Sequence, residues 1–449
     1  MSNILLTSIG TGRYNQQTRE ITYSETNYAL NENRENVLKS AYMYEAMLEF
    51  KNIDKIIFIG TTGSNWHALY EHLFQENSKI KPAIERDEEY AVELLLLTEG
   101  QEKDADECRE TLQKLVDTMG EKCQDIIILN YGMSKEEMNQ NFERLAAAKQ
   151  YIKDGDTLSF DITHSFRSLA FYELLAVNFF KLSMGGSAKL DFISYGMFEI
   201  AKDNDGITPI VNQEPLLKIL EWTKAADEFK RFGTTHLLCQ MLEENNTLEE
   251  SGIPRELARN VKLALGRLGE DVATNNLKEL RNMVANCRNI TEEGSTGNSA
   301  IDFIFTEIYE RFGKHLDRDD NNITLYVEFA KWHIEKKRYI AAAITMIETM
   351  IRLCYNENNE NDYEEVRKKL RSTDAREHTG EHEQFIYYYN KLRGLRNKLC
   401  HAKIWNRDID LRDLIECIDG FFILYGREYN NRADTKQDLI NTINAFREY

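Results

Sequence analysis

Prolines are scarce in this 449-residue chain. There are four, Pro82, Pro209, Pro215 and Pro254, and so few breakers leave room for long uninterrupted helices. The seven cysteines include no Cys-x-x-Cys pair, and their scatter and odd number fit reduced, mostly buried thiols in a cytoplasmic protein. Apolar runs are strand-sized or interrupted by polar residues, so none is expected to span a bilayer. The opening segment SNILLTSIGTG is too short and uncharged for an export signal and reads as a strand. Internal repeats and low-complexity tracts are missing. Positive charge is in deficit, with a formal net charge of −19. That balance excludes indiscriminate coating of nucleic acid by the whole surface, while a local basic site remains open.

What is present is an ordinary globular composition, 42% hydrophobic and 29% charged, long enough for two or three domains with real cores. Residues 1–200 alternate short apolar runs with helix-period segments. The expected strands are Asn3–Ile9, Lys55–Ile59, Asp125–Leu129, Thr157–Phe160 and Lys189–Ser194. The expected helices between them are Asn33–Phe50, Trp66–Phe74, Ala105–Met119, Lys135–Ile152 and Phe166–Leu182. This alternation predicts an α/β domain with a doubly wound, mostly parallel, Rossmann-like sheet. Residues 201–215 are polar, hold Gly206, Pro209 and Pro215, and read as a connector or a short edge hairpin. Residues 216–449 have helical period almost throughout and predict an all-α domain.

Three small polar loops come directly after expected strands, where doubly wound sheets bind ligands. The first is Gly10-Thr11-Gly12-Arg13, whose glycines let backbone amides approach a ligand. It lacks the third glycine of a dinucleotide fingerprint and the Gly-Lys-Ser/Thr of a P-loop, and a plain tight turn explains it equally. The adjoining segment RYNQQTREITYSET alternates like a hairpin. The second loop is Gly63-Ser64-Asn65, within Gly60–Trp66. The third, Asp161-Ile162-Thr163-His164-Ser165-Phe166-Arg167, runs into a helix. Thr163 or Ser165 as a simple cap is one reading; a helix N-terminus with a histidine and an arginine as an anion site is the other. Three such loops on one sheet edge favour a phosphate-bearing ligand.

The segments LLTSIGTGRY, IGTTGSNW and above all DITHSFRS resemble those of CARF domains, the sensor modules of type III CRISPR accessory proteins. The resemblance covers about residues 1–200 and departs from the family pattern at Ser165, where glycine is usual. It implies cyclic oligoadenylate as the activating ligand, the four-membered ring cyclic tetra-adenylate, bound across a homodimer axis. Gly10, Thr11, Gly12 and Arg13, with Thr163, His164, Ser165, Phe166 and Arg167, would then meet the ring and its phosphates. Gly63, Ser64 and Asn65 would surround the adenines.

In the helical half, Lys391–Arg407 carries six Lys/Arg and no Asp or Glu. Within it Arg396, Asn397 and His401 form an Arg-x4-His motif, similar to that of the HEPN ribonucleases often fused to CARF domains. The chemistry is coherent from the residues alone. RNA brings its own 2′-OH nucleophile, so a cutter needs a proton acceptor, a proton donor and charge stabilisation at phosphorus. Histidine moves protons near neutral pH, and arginine grips phosphate oxygens. At about 100° per residue, His401 lies about 140° around a helix from Arg396, within reach of a long side chain. Asn397 sits one turn before His401, placed to orient its ring. Two protomers would supply two copies of the pair, and no metal is needed. A solvated basic helix face is the plain alternative.

The run His378-Thr379-Gly380-Glu381-His382 matches His-x-x-Glu-His, but Gly380 and loop-like flanks argue for a polar turn. The remaining histidines are scattered and suggest no metal site. The sequence thus predicts a cytoplasmic, antiviral CRISPR endoribonuclease cutting single-stranded RNA, with a ligand-sensing regulator that binds DNA or a protein as the alternative.

Overall fold

Short Ile- and Leu-rich runs buried on both sides make the centre of the N-terminal sheet, as parallel strands require. A computed structural model of the chain describes residues 1–15, 20–99, 104–165, 167–183, 188–244, 255–317, 322–354, 360–372, 381–401 and 406–429. The chain divides into two compact units, Met1–Lys218 and Ile219–Tyr449.

In the first unit the strands are β1 (Asn3–Ile9), β2 (Arg13–Asn15), β3 (Glu20–Thr22), β4 (Thr26–Leu30), β5 (Asn33–Ser40), β6 (Lys55–Thr61), β7 (Cys123–Leu129), β8 (Thr157–Asp161), β9 (Lys189–Gly196) and β10 (Ile207–Asn212). Eight of them form one sheet in the order β5-β4-β10-β9-β8-β1-β6-β7, and β2 and β3 pair separately. The run from β9 to β7 is parallel throughout, with Leu5 opposite Ile56 on one side and Ser159 on the other.

Six helices cover this sheet: α1 (Met43–Phe50), α2 (Trp66–Leu73), α3 (Glu88–Glu99), α4 (Ala105–Met119), α5 (Lys135–Ala146) and α6 (Arg167–Ser183). Alternation along β1 sends Leu5 and Ile9 into the core beneath α1 to α4, and Ile4 and Leu6 into the core beneath α5 and α6. The sheet is therefore wound on both faces, with helices on each side.

The expected helix over Asn33–Phe50 is a correction. Asn33–Ser40 is the edge strand β5, antiparallel to β4, and only Met43–Phe50 is helical. Its polar residues are almost all exposed, which mimics a helix face in sequence yet suits a charged sheet edge. Residues 207–212 of the expected connector are also built in: β10 pairs antiparallel with β9 and parallel with β4.

The second unit is helical among the described residues. Helix α7 (Glu214–Phe232) leads into it, and then come α8 (His236–Glu244), α9 (Arg255–Thr274), α10 (Leu280–Glu293), α11 (Ser299–Phe312), α12 (Ile323–Glu335), α13 (Tyr339–Cys354), α14 (Glu360–Ser372), α15 (Glu381–Cys400) and α16 (Arg407–Tyr429). Helix α12 joins two cores, giving Phe329 and Trp332 to one and Val327 and Ala330 to the other. The apolar helix α13 buries Ala342, Ala343, Met346 and Met350 in the second core.

Candidate functional sites

Winding proceeds from β1 to β6 and β7 in one direction, then crosses back to β8 and β9 on the far side. Strand order therefore reverses between β1 and β8, which are registered with Thr7 opposite Asp161. The loops leaving their carboxyl ends diverge there, and a crevice of about 240 Å³ opens between them. Gly10, Thr11 and Gly12 line it from one loop, and Thr163, His164 and Ser165 from the other.

These loops approach so closely that only glycine fits at position 10. A Cβ there would stand 2.4 Å from the carbonyl oxygen of His164. The Gly10 carbonyl accepts from the Tyr23 hydroxyl at 2.6 Å and from the Asn65 amide at 2.8 Å. Gly12 has φ of 72°, a conformation that glycine adopts without strain. Across the crevice the Thr163 amide donates to Asp161 Oδ1 at 3.0 Å, and Thr163 Oγ1 accepts from the Gly196 amide at 2.9 Å. Asp161 is fully buried and also accepts from Thr7 Oγ1 at 2.7 Å. Burial raises its pKa above the usual carboxylate value despite these donors.

The His164 ring packs on Tyr23 with centroids 4.7 Å apart, and its Nε2 is enclosed with no hydrogen-bond partner among the described residues. Burial lowers the His164 pKa to about 4. The ring is thus neutral at physiological pH, so it offers hydrogen bonding and not the positive charge that its neighbourhood to Arg167 suggested. Ser165 turns its hydroxyl beneath the loop, toward Ser8 at 2.8 Å and Glu173 at 3.0 Å.

The Gly60–Trp66 loop is placed differently from the sequence expectation. Ser64 is fully buried, its hydroxyl donating to the Ile9 carbonyl at 2.5 Å and accepting from the Thr61 amide at 2.8 Å. Asn65 caps α2, accepting from the Ala68 amide at 3.0 Å. A Cβ on Gly63 would meet the Tyr131 hydroxyl at 2.1 Å. None of the three is among the residues lining the crevice; Ser64 and Asn65 support the Gly10 loop from behind. Replacing Asn65 by alanine is expected to lower stability by about 1 kcal/mol through loss of the cap. A denaturant melt checks this, and ligand affinity should be unchanged.

Phe166 lies outside the described residues, as do the side chains of Arg13 and Arg167. What the sequence did not reveal is the opposite wall: Tyr23 and Tyr28 from the β3–β4 region, and Tyr195, Phe198 and Glu199 at the end of β9. The alternation of RYNQQTREITYSET was legible as a hairpin, and β2 and β3 do pair, Arg13 opposite Thr22. Nothing local told that the chain after it would return over the β1 loop.

In the second unit, α15 buries Ile386, Tyr389, Leu392 and Leu395, a stripe at helical spacing. Its basic residues divide by partner. Lys391 pairs with Asp413 and Glu416 at 3.2 Å each, and Lys398 with the buried Asp410 at 2.7 Å, tying α15 to α16. Arg396 and Asn397 are half-buried and His401 is exposed at the helix end, its amide still bonded to the Asn397 carbonyl at 3.0 Å. Among the described residues, no side-chain hydrogen bond or ion pair reaches Arg396 or His401, and Asn397 does not bond the His401 ring. The guanidinium and imidazole are left available to an external group. Residues 378–380 and the His382 side chain of the His-x-x-Glu-His run lie outside the described residues. Among those described, no cluster of three potential metal ligands occurs, and no helix is long and apolar enough to cross a membrane.

Comparison with known proteins gives two family matches. Residues 4–199 match the CARF domain of the CRISPR system endoribonuclease Csx1, and residues 218–322 match the second domain of the CRISPR-associated protein MJ1674. The CRISPR-associated protein MJ1674 of Methanocaldococcus jannaschii is 25% identical over 443 residues, covering 93% of this chain. The chain spans 66% of that relative's length. A solved structure of Enterococcus italicus Csm6 bound to cyclic hexa-2′-fluoro-hexa-dAMP aligns over 99% of this chain and 100% of its own, with a TM-score of 0.37 and 10% identity.

Proposed function

We propose that this CARF-containing type III CRISPR accessory protein is an endoribonuclease switched on by a cyclic oligoadenylate. The observation that carries the reading is the crevice at the β1–β8 reversal, built from the Gly10 and Thr163 loops in a unit that matches a CARF model. Backbone amides, hydroxyls and the N-terminus of α6 suit phosphodiesters. The aromatic rings of Tyr23, Tyr195 and Phe198 suit adenines, which stack on such surfaces. The Glu199 carboxylate, awkward for phosphate, is an acceptor for an exocyclic amine such as adenine N6. At about 240 Å³ the crevice falls below the ~300–1,000 Å³ of ordinary ligand pockets. It accommodates a fragment of a ring, so cyclic tetra-adenylate would be completed by the crevice of a second copy in a homodimer.

For the helical unit we propose a HEPN-type active site at Arg396 and His401. In the reaction, the 2′-oxygen bonds to phosphorus as its proton leaves for a base, and the bond to the 5′-oxygen breaks as that oxygen takes a proton from an acid. The products are a 2′,3′-cyclic phosphate and a 5′-hydroxyl. One protomer offers one imidazole, so the acid and base would come from His401 of two copies, with Arg396 on the phosphate oxygens. No step calls for a metal.

The test incubates the full chain with labelled single-stranded RNA and a panel of cyclic oligoadenylates, with and without EDTA. Cleavage is expected only with a matching ring, undiminished by EDTA. RNA retained but uncut would instead identify a sensing regulator, and loss with EDTA would make the chemistry metal-dependent.

A further inference from the structure

Beneath the crevice floor lies a group of three oxygen-bearing side chains. Ser8 stands near the end of β1; Ser165 ends the β8 loop; Glu173 faces them from α6. The Ser165 hydroxyl contacts Ser8 Oγ at 2.8 Å and Glu173 Oε1 at 3.0 Å, and the Ser8 hydroxyl is hydrogen-bonded to the same Oε1. Glu173 is 2% exposed, and its Oε2 is buried with no partner among the described residues. Charged or titratable groups nearby are Asp161 on β8, itself a carboxyl, and the neutral His164. No cation among the described side chains offsets a charge on Glu173.

The triangle has three contacts, and each needs one proton. An ionised Glu173 leaves only the two serine protons. Both are then drawn inward, and Ser165 has none for the crevice that it lines. A protonated Glu173 supplies the third proton and donates into the group itself. With Glu173 Oε1 donating to Ser8 and Ser8 to Ser165, two contacts stay filled, as many as the ionised carboxylate permits, and the Ser165 proton is left to donate outward. Resting on the reading of the crevice as an anion-binding site, we infer that Glu173 is a positioning residue: as an uncharged carboxylic acid it frees the Ser165 hydroxyl to donate to an acceptor oxygen of the bound ligand. The electrostatics agree, since burial raises the Glu173 pKa to about 8, against the lowering by the two serine hydroxyls. Serine at position 165, where the CARF pattern has glycine, is what makes this coupling available in the chain.

The experiment is isothermal titration of cyclic tetra-adenylate into the full chain, from about pH 6.5 to about pH 9.5, for the parent, Glu173→Gln and Ser165→Ala. Parent affinity should be level up to about pH 8 and then fall, levelling off about tenfold lower, which is the worth of the one Ser165 hydrogen bond. Glu173→Gln, whose amide donates at every pH, should bind tightly with no such fall. Ser165→Ala should bind about tenfold more weakly at neutral pH and also lose the fall. Stability gives a second readout. The folded chain holds a proton that the unfolded chain releases, so stability drops as pH rises from the ordinary carboxylate range to about 8. Glu173→Gln should remove that drop in thermal melts.

A parent affinity that stays level to the highest pH overturns the proposal while leaving the ligand reading intact. A fall that persists in Glu173→Gln assigns the titration to another group, Asp161 among them, and overturns it too. Should Glu173→Gln fail to fold, Ser165→Ala carries the same test. If the parent binds no cyclic oligoadenylate at any pH, the reading of the crevice itself has failed.

Discussion

With the proposed HEPN-type site, replacing His401 by alanine is expected to lower ligand-stimulated RNA cleavage by about 10²–10⁴-fold, with cyclic oligoadenylate affinity unchanged. The size comes from proton transfer: without the imidazole the 2′-OH loses its acceptor and the 5′-oxygen its donor. The fold should survive, because His401 is exposed at the end of α15 and its side chain has no partner among the described residues. Initial rates on labelled RNA, beside a thermal melt, separate the chemical effect from unfolding. Mixing His401→Ala protomers with Arg396→Ala protomers extends the test. Recovery of part of the activity would place both groups in one shared groove. Unchanged cleavage in His401→Ala would move the active site elsewhere.

Gly10→Ala should abolish ligand binding, lowering affinity by more than about a hundredfold, or about 2.7 kcal/mol. One added methyl suffices, because it would lie 2.4 Å from the His164 carbonyl oxygen, and backbone cannot yield as a flexible side chain does. The Gly10 carbonyl holds both Tyr23 and Asn65, so displacement would spread to the Tyr23 wall of the crevice and to the Asn65 turn behind the loop. Gly266→Ala is the control. It adds the same methyl on the exposed face of α9, where nothing lies within 4 Å, and should leave binding unaltered. Isothermal titration of both variants with cyclic tetra-adenylate decides the matter; undiminished binding by Gly10→Ala would show that the two loops are free to separate.

Much of this architecture is written locally. The five parallel strands are legible because burial on both faces demands continuous apolar runs, and β1 is found at Asn3–Ile9 as expected. Helix α4 likewise spans Ala105–Met119 as its period predicts. The outer strands are harder. Strand β5 is almost all polar, β4 is only five residues long, and β10 sits between Gly206 and Pro215 in what looks like linker. Pairing, not local preference, makes them strands. Helix α3 has leucines on its exposed and buried sides alike, which blurs the period that reveals a helix.

The candidate site divides in the same way. Gly10 and Thr163 lie in loops directly after strands and could be found by position. Tyr23, Tyr195 and Phe198 could not, because only the sheet order brings them opposite those loops. Glu173 was hidden for another reason: an acidic residue on an amphipathic helix reads as solvent-facing until the tertiary fold covers it. For Arg396 and His401 the sequence supplied the motif, while the pairing of Lys391 and Lys398 with acids, which separates them from Arg396, unpaired among the described residues, needed the helix α16 opposite.

The bond from Thr7 to Asp161 spans 154 residues. A ribosome making this protein releases β1 early, yet its neighbour β8 emerges only after β6 and β7 have already taken the other side. The nascent polypeptide therefore keeps an open slot beside β1 through more than a third of its synthesis. A messenger cut short before residue 165 would yield a truncated fragment with half of its ligand cradle missing.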